Sequence, residues 1–379
     1  MPGAGSVAGA ESRATAVPQP QRWTLTRYLI EERRRFPDAS GDLNALILDV
    51  ALACKSIARI AGFGPLVADR NPGLPNGSTP PAQEDRAALA HRAAHDVLAR
   101  MNECNGHLAG MASEALDAPL QIPQGCARGK YLLVFDPLDG SGNIDVNAPL
   151  GSLFSILRAP AGAVESGRDV IEADFLQPGA LQVAAGYAIY GPSTMLVLSV
   201  GNGVAGFTLH PDLAEFVLTH PGLRVPEETQ EFAINTGHAR LWEPPVKRYV
   251  DECLAGRSGP RGRDFHMRWI ASTVAEAHRI LLRGGVFLAP RAGGDAAAHG
   301  RLRLLHEANP VAMVMEQAGG RASTGRQPVL GVRPDGLHQR IGLVYGSRQE
   351  VERIERYHRD RVRRDVGHPL FTERSLFRD

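Results

Sequence analysis

No apolar run in this 379-residue chain approaches the ~20 residues that a helix needs to cross a bilayer. A membrane-spanning helix is therefore not expected, nor a membrane as partner. Cysteine is scarce: Cys54, Cys104, Cys126 and Cys253 are scattered, with no CxxC pair. That pattern argues against a disulfide scaffold and a cysteine-bound zinc, and fits a reducing compartment. An excess of charge of one sign is also lacking. The formal net charge is +1, which supplies no general attraction to nucleic acid or to membranes. Met1 to Pro20 lacks the hydrophobic core of a signal peptide. With its Ala, Gly, Ser and Pro it reads as a disordered tail (residues 1–22), and a cytoplasmic location is expected. The remaining composition, 43% hydrophobic and 22% charged, is that of a globular protein long enough for two ordinary domains with their own cores.

One stretch organises the rest. Tyr131 to Phe135 is an apolar run that reads as a buried strand ending at Asp136-Pro137-Leu138-Asp139-Gly140-Ser141-Gly142. Two carboxylates three residues apart repel, and burial raises the cost. A divalent cation removes both penalties, and hard oxygen ligands suit magnesium or manganese rather than zinc. The Leu138 carbonyl is a candidate further oxygen ligand. Gly140, Ser141 and Gly142 allow close backbone approach, and a helix starting there would direct free N–H groups at an anion. Metal beside phosphate is the chemistry of phosphoester hydrolysis. A bare DxxDG is otherwise an ordinary solvated turn, since Asp and Gly are common turn residues.

Apolar spacing predicts helices over Trp23 to Arg35, Leu43 to Ala61 and Glu84 to Glu103, with a Pro/Gly-rich loop from Val67 to Ala82. Strands are expected at Gly151 to Leu157, within Asp174 to Pro192, and at Met195 to Val200 and Gly206 to Leu209. A second domain starts near Gly222. It contains a strand ending at Asn235, helices over Pro244 to Leu254 and Val274 to Leu282, a strand at Gly284 to Pro290, a helix over Val311 to Gly319, a strand at Ile341 to Tyr345 and a closing helix from Gln349. The expected division is a tail (1–22), an N-terminal domain (23–221), a C-terminal domain (222–366) and a loose tail (367–379).

The string from Lys130 to Asn147 resembles the signature of the class I fructose-1,6-bisphosphatases, within the lithium-sensitive, magnesium-dependent phosphatases. Further segments resemble the same family: LQPG, VAAGYA and TMLVL in the first half, and RLRLL, NP, EQAGG and LHQR in the second. The resemblance runs from about Leu25 to Tyr357. It implies a layered α/β/α/β/α sandwich of two domains, a homotetramer, and hydrolysis of the 1-phosphate of fructose 1,6-bisphosphate.

It also implies residue roles. Two or more magnesium ions, or manganese, would be held by Glu114, Asp136, Asp139 and Glu307 with the Leu138 carbonyl. Asp96 and Glu114 join Asp139 as catalytic candidates. Asp139, Gly140, Ser141 and Gly142 would meet the 1-phosphate. Asn235, Arg301, Arg303 and, from a neighbouring subunit, Arg268 would hold the other phosphate. Gly41, Asp42 and Leu43 with Lys130, Tyr131 and Arg158 match an AMP site. The departures from the pattern are Ala90, Ala115 and Ala289, which stand where functional side chains are usual. They leave two alternatives in view: sedoheptulose bisphosphate as an equal substrate, and a catalytically weakened regulatory homologue. His238, where a phosphate-binding tyrosine is common, reads as a solvated loop residue.

Overall fold

A computed structural model describes residues 23–35, 41–70, 83–291 and 300–367. The two tail expectations, and most of the expected Pro/Gly-rich loop, lie outside the described residues. The N-terminal half opens with helices α1 (Leu25–Arg35), α2 (Gly41–Gly62) and α3 (Gln83–Asn102). An eight-stranded sheet follows, built from β1 (Leu108–Ser113), β2 (Leu120–Gln121), β3 (Tyr131–Asp139), β4 (Leu150–Arg158), β5 (Ala184–Tyr190), β6 (Thr194–Ser199), β7 (Ala205–His210) and β8 (Glu215–His220). Short helices α4 (Ala161–Ser166) and α5 (Glu172–Phe175) lie between β4 and β5. The strand order is β2-β1-β3-β4-β5-β6-β7-β8. All neighbours are antiparallel except β1 and β3, which run parallel.

The second half contributes β9 (Glu231–Ile234), α6 (Pro244–Leu254), β10 (His266–Met267), α7 (Thr273–Arg283), β11 (Val286–Ala289), β12 (Leu302–Arg303), α8 (Asn309–Gln317), β13 (Arg321–Ser323), β14 (Arg340–Ile341), β15 (Leu343–Gly346) and α9 (Arg348–Gly367). Five of its strands form a second sheet in the order β10-β9-β11-β15-β13, and β12 pairs with β14.

Alternation along the central strands explains the layering. Successive strand side chains point to opposite faces. Leu133 and Phe135 therefore join one core with α1, α2 and α3, while Leu132 and Val134 join another with Phe175 and Leu305. Phe154 and Ala188 face the N-terminal helices, whereas Leu153 and Tyr187 face α7 and α8. The same middle core reaches Phe287 and Tyr345 of the second sheet, whose other face carries Phe232 and Leu288 against Tyr249, Ile354 and Tyr357 of α6 and α9. The result is the α/β/α/β/α sandwich. Each fully buried Leu or Phe contributes about 1.5–3 kcal/mol of transfer free energy to it.

Two local expectations are corrected. The strand expected to end at Phe135 runs on to Asp139. Its pairing with β4 shifts register between Asp136 and Asp139, and there Pro137 needs no ladder N–H. Ser152 donates to the Pro137 carbonyl at 2.6 Å, which secures the irregular segment. The expected absence of disulfides also fails, because Cys104 and Cys126 are bonded. Sequence spacing could not foresee the pair: Cys104 ends the turn after α3 and Cys126 precedes β3, so only the parallel pairing of β1 with β3 brings them together. Cys54 and Cys253 are free and buried.

Candidate active site

Parallel β1 and β3 end side by side. Ser113 is in register with Phe135, and the Glu114 N–H donates to the Phe135 carbonyl at 3.0 Å. Glu114 and Asp136 thus leave adjacent strands at the same level. Asp139 ends β3, and its Oδ2 accepts from Ser272 Oγ at 2.5 Å and from the Val274 N–H at 2.9 Å. Ser272 is also the N-cap of α7, accepting from the Ala275 N–H. The second sheet's helix therefore aims Asp139. Glu307 comes from a π turn, Leu304–Ala308, leading into α8, and its Oε2 accepts from the Arg303 N–H at 2.7 Å.

Asp136, Asp139 and Glu307 are all buried and bring carboxylate oxygens within 4.8 Å of one another. Burial, reinforced by the other carboxylates, raises Asp136 well above its ordinary range. Burial also raises Asp139, against the hydrogen bonds from Ser272 and Val274, and lifts Glu307 to about 8. Three buried acids that repel one another fit a divalent cation, which would replace the protons they otherwise retain.

Glu114 is the counterexample. Burial pushes it up, but the hydrogen bond with His91 and the charges of Arg303 and His91 outweigh that and hold it at about 2. Its two oxygens are divided. Oε2 lies 3.1 Å from His91 Nε2, and Oε1 pairs with Arg303. Arg303 also donates through Nε to His338, whose other nitrogen bonds the Leu116 carbonyl at 2.9 Å.

Two expectations need correction here. Asp96 does not join the carboxylates. It is exposed, 3.7 Å from Arg100, on a cleft between α2 and α3. A helix turns about 100° per residue, so residues four apart share a face and the next one leaves it. The face of α3 nearest the carboxylates is that of His91 and His95, the latter bonded to Ser113 Oγ at 2.8 Å. Ala90 is fully buried in the helical core, beside His91. Arg303 is the second correction. Its guanidinium faces Glu114 and His338 rather than lining the neighbouring cavity.

That cavity, of about 260 Å³, is lined by Asp139 and Glu307 together with Asn235, His238, Trp242, Trp269, Ala289, Arg291 and Arg301. Asn235 closes β9 and caps the next turn by accepting from the Gly237 N–H. His238, half-buried, lines the cavity. Trp269 stacks on Phe287 as part of the wall. Arg268 lies on the exposed edge of the second sheet, 3.5 Å from Glu231, and does not line its own chain's cavity. Ser141 begins a six-residue 3₁₀ helix, with Gly140 before it at φ 70° and Gly142 open to solvent. A Cβ on Gly140 would come within 2.9 Å of Ser272, so the approach of α7 to the loop requires glycine there.

The set at the start of α2 also converges. Lys130 Nζ lies 3.0 Å from Asp42, and Lys130 and Arg158 both sit 5.8 Å from the Tyr131 ring. Sequence reasoning passed over His91, His95, Ser272, Trp242, Trp269 and Arg291. Only the first two carried a readable signal, an i, i+4 histidine pair on a helix.

Models of the two fructose-1,6-bisphosphatase domains match this chain, the N-terminal domain over residues 23–221 and the C-terminal domain over 225–359. The chain belongs to the fructose-1,6-bisphosphatase family. It is 62% identical over 356 residues to the class 1 fructose-1,6-bisphosphatase of Hydrogenophilus thermoluteolus, covering 94% of this chain and 97% of that one. Identity to the class 1 enzyme of Rhodospirillum rubrum is 51% over 94% of this chain and 99% of the relative. The crystal structure of Leishmania major fructose-1,6-bisphosphatase in holo form superposes with a TM-score of 0.77 at 33% identity, covering 89% of this chain and 99% of that chain. The layered fold built above from core alternation is thus the family's fold.

Proposed function

We propose that this chain hydrolyses the 1-phosphate of fructose 1,6-bisphosphate, releasing fructose 6-phosphate and phosphate. The observation that carries the reading is the buried Asp136, Asp139 and Glu307 cluster opening onto a cavity that Arg301 and Asn235 also line, in a chain of this family. Asp136, Asp139, Glu307 and Glu114, with the Leu138 carbonyl, would hold two or more magnesium or manganese ions. Such ions supply Lewis-acid polarisation of the phosphoryl oxygens and stabilise the departing alkoxide. The chain's own residues do the rest. Asp139, aimed by Ser272, stands where the loop of Gly140, Ser141 and Gly142 offers N–H and hydroxyl donors to the 1-phosphate. Arg301 and Asn235 hold the other phosphate and orient the sugar for in-line attack. Arg303 instead serves Glu114, as counter-charge and tether.

Arg268 is exposed on the edge of the second sheet, outside its own chain's cavity, which supports assigning it to the phosphate bound by a neighbouring subunit. On that reading the protein works as a homotetramer. No helix among the described residues is long and apolar enough to cross a membrane. We also assign the metal-site domain to residues 23–221 and the sugar-phosphate domain to 222–366.

The convergence of Asp42, Lys130, Tyr131 and Arg158 supports a second role for the N-terminal domain, binding AMP beside Gly41 and Leu43. Loss of inhibition by AMP in Lys130→Ala, with unchanged turnover, would support it. Insensitivity of the unmodified enzyme would reject it.

Magnesium-dependent phosphate release from fructose 1,6-bisphosphate, with Asp139→Asn in parallel, tests the main reading. Release that vanishes in the variant supports it. No release above the variant in magnesium or manganese rejects it and favours a weakened regulatory homologue. Comparable release from sedoheptulose bisphosphate would widen the substrate assignment.

A further inference from the structure

The carboxylate centre carries two different donor sets. Asp136, Asp139 and Glu307 offer oxygen alone and are all buried. His91, Glu114 and Asp136 form a second group whose ligand atoms lie within 4.8 Å of one another, and this one includes an imidazole nitrogen. His91 Nε2 is 3.1 Å from Glu114 Oε2 and 3.8 Å from Asp136 Oδ1. Asp136 belongs to both sets, so one carboxylate can bridge two adjacent cations.

The composition of the sets decides what each should take. Carboxylate and carbonyl oxygens suit magnesium, calcium and manganese, while imidazole suits later first-row metals such as iron and zinc, and affinity for divalent ions rises from manganese through iron to cobalt. Magnesium is hard and holds its waters, and gains little from a nitrogen donor. His91 is also rigidly presented. It sits on a twenty-residue helix whose Ala90, Ala94 and Leu98 are locked into the core. Its neighbour one turn on, His95, is bonded to Ser113, the last residue of β1, immediately before Glu114.

We infer that His91 makes the Glu114–Asp136 half of the centre a transition-metal site, so that the working enzyme carries a mixed pair: magnesium on the all-oxygen set and a divalent manganese, cobalt or zinc ion on the histidine set. This rests on the metal-dependent reading above and deepens it, because it makes His91 the residue that sets metal preference.

The test uses the full chain, stripped with a chelator and dialysed against a large excess of magnesium containing a low level of Mn²⁺, Co²⁺ or Zn²⁺. The expected result is about one transition ion retained per chain, with Mn²⁺ held less tightly than Co²⁺ by the unmodified protein and affinity lowered at least ~10-fold in His91→Asp and His91→Gln. Pulsed electron paramagnetic resonance of the Mn²⁺-loaded protein should show coupling to a directly bound nitrogen that both variants lose. This second readout needs only the unmodified protein if a variant does not fold. Equal retention by protein and variants, or no nitrogen coupling in the unmodified protein, overturns the inference and leaves His91 as a hydrogen-bond partner of Glu114. Hydrolysis is measured in parallel. Activity in magnesium without nitrogen coupling sinks this inference alone. Nitrogen coupling without hydrolysis under any metal supports the site and rejects the reading of function.

Discussion

Ser272 and Asp139 are 133 positions apart in the chain and 2.5 Å apart in space. One hydroxyl caps α7 and, in the same position, donates to the carboxylate that ends β3. Ser272→Ala should remove both contacts. Loss of a helix cap costs about 1 kcal/mol, and loss of a hydrogen bond that orients a metal ligand typically weakens metal affinity ~10- to 100-fold. Urea unfolding and magnesium titration should show both effects, while Ser272→Thr should recover much of each. An unchanged magnesium affinity in the alanine variant would remove Ser272 from the site.

Without metal, the carboxylate cluster sets a pH dependence. Glu307 is raised to about 8 in the folded chain, and burial raises Asp136 and Asp139 as well. A carboxyl with a raised folded pKa binds more protons folded than unfolded. Stability of the metal-free protein should therefore fall as pH rises from the ordinary carboxylate range towards 8. A divalent cation displaces those protons, so magnesium should stabilise more at pH 8 than at pH 6. Thermal melts with chelator and with magnesium at both pH values check this. Equal shifts would mean that the acids are already ionised.

Arg301 lines the cavity, and its guanidinium is the cationic group expected to hold the far phosphate. Hydrogen bonds to charged groups contribute about 1.5–3 kcal/mol. Arg301→Ala should raise KM for fructose 1,6-bisphosphate by ~10- to 100-fold, with a smaller change in kcat. An unaltered KM would place the phosphate elsewhere.

Far from the site, Glu350 is fully buried and accepts from Tyr249 at 2.7 Å and from Arg261 at 2.5 Å, with Arg263 at 3.3 Å. It ties α9 to α6 and to the loop after it. Glu350→Ala strands the buried Arg261 charge, a loss of about 3–5 kcal/mol. Chemical denaturation should show it, without a change in magnesium affinity.

The Cys104–Cys126 bond closes a separation of 22 residues spanning the turn after α3, β1 and β2. In the chain-entropy account a loop of this size contributes about 3 kcal/mol. Cys126→Ser should lower stability by up to that amount in the absence of reductant. With reductant the variant and the unmodified chain should melt together. Identical melts without reductant would show that the bond does not form in solution.

Much of this protein was legible in one dimension. The apolar run at Tyr131, the helical spacing of Leu46, Val50 and Ile57, and the burial of Asp136 and Asp139 follow from local rules. Period and composition act over a few residues, where chain connectivity already determines neighbours. The five-layer order was available only through resemblance. What the tertiary structure alone decided is which distant groups meet. Asp96 and His91 are five positions apart on one helix, yet only His91 reaches Glu114, because α3 docks through Ala90, Ala94 and Leu98 and that choice sets its rotation about its own axis. Arg301 and Arg303 differ by two positions and part company, one to the cavity and one to Glu114. Rotation of a helix and register of a strand are settled by packing against elements far away in sequence, and a single side chain's direction follows from them.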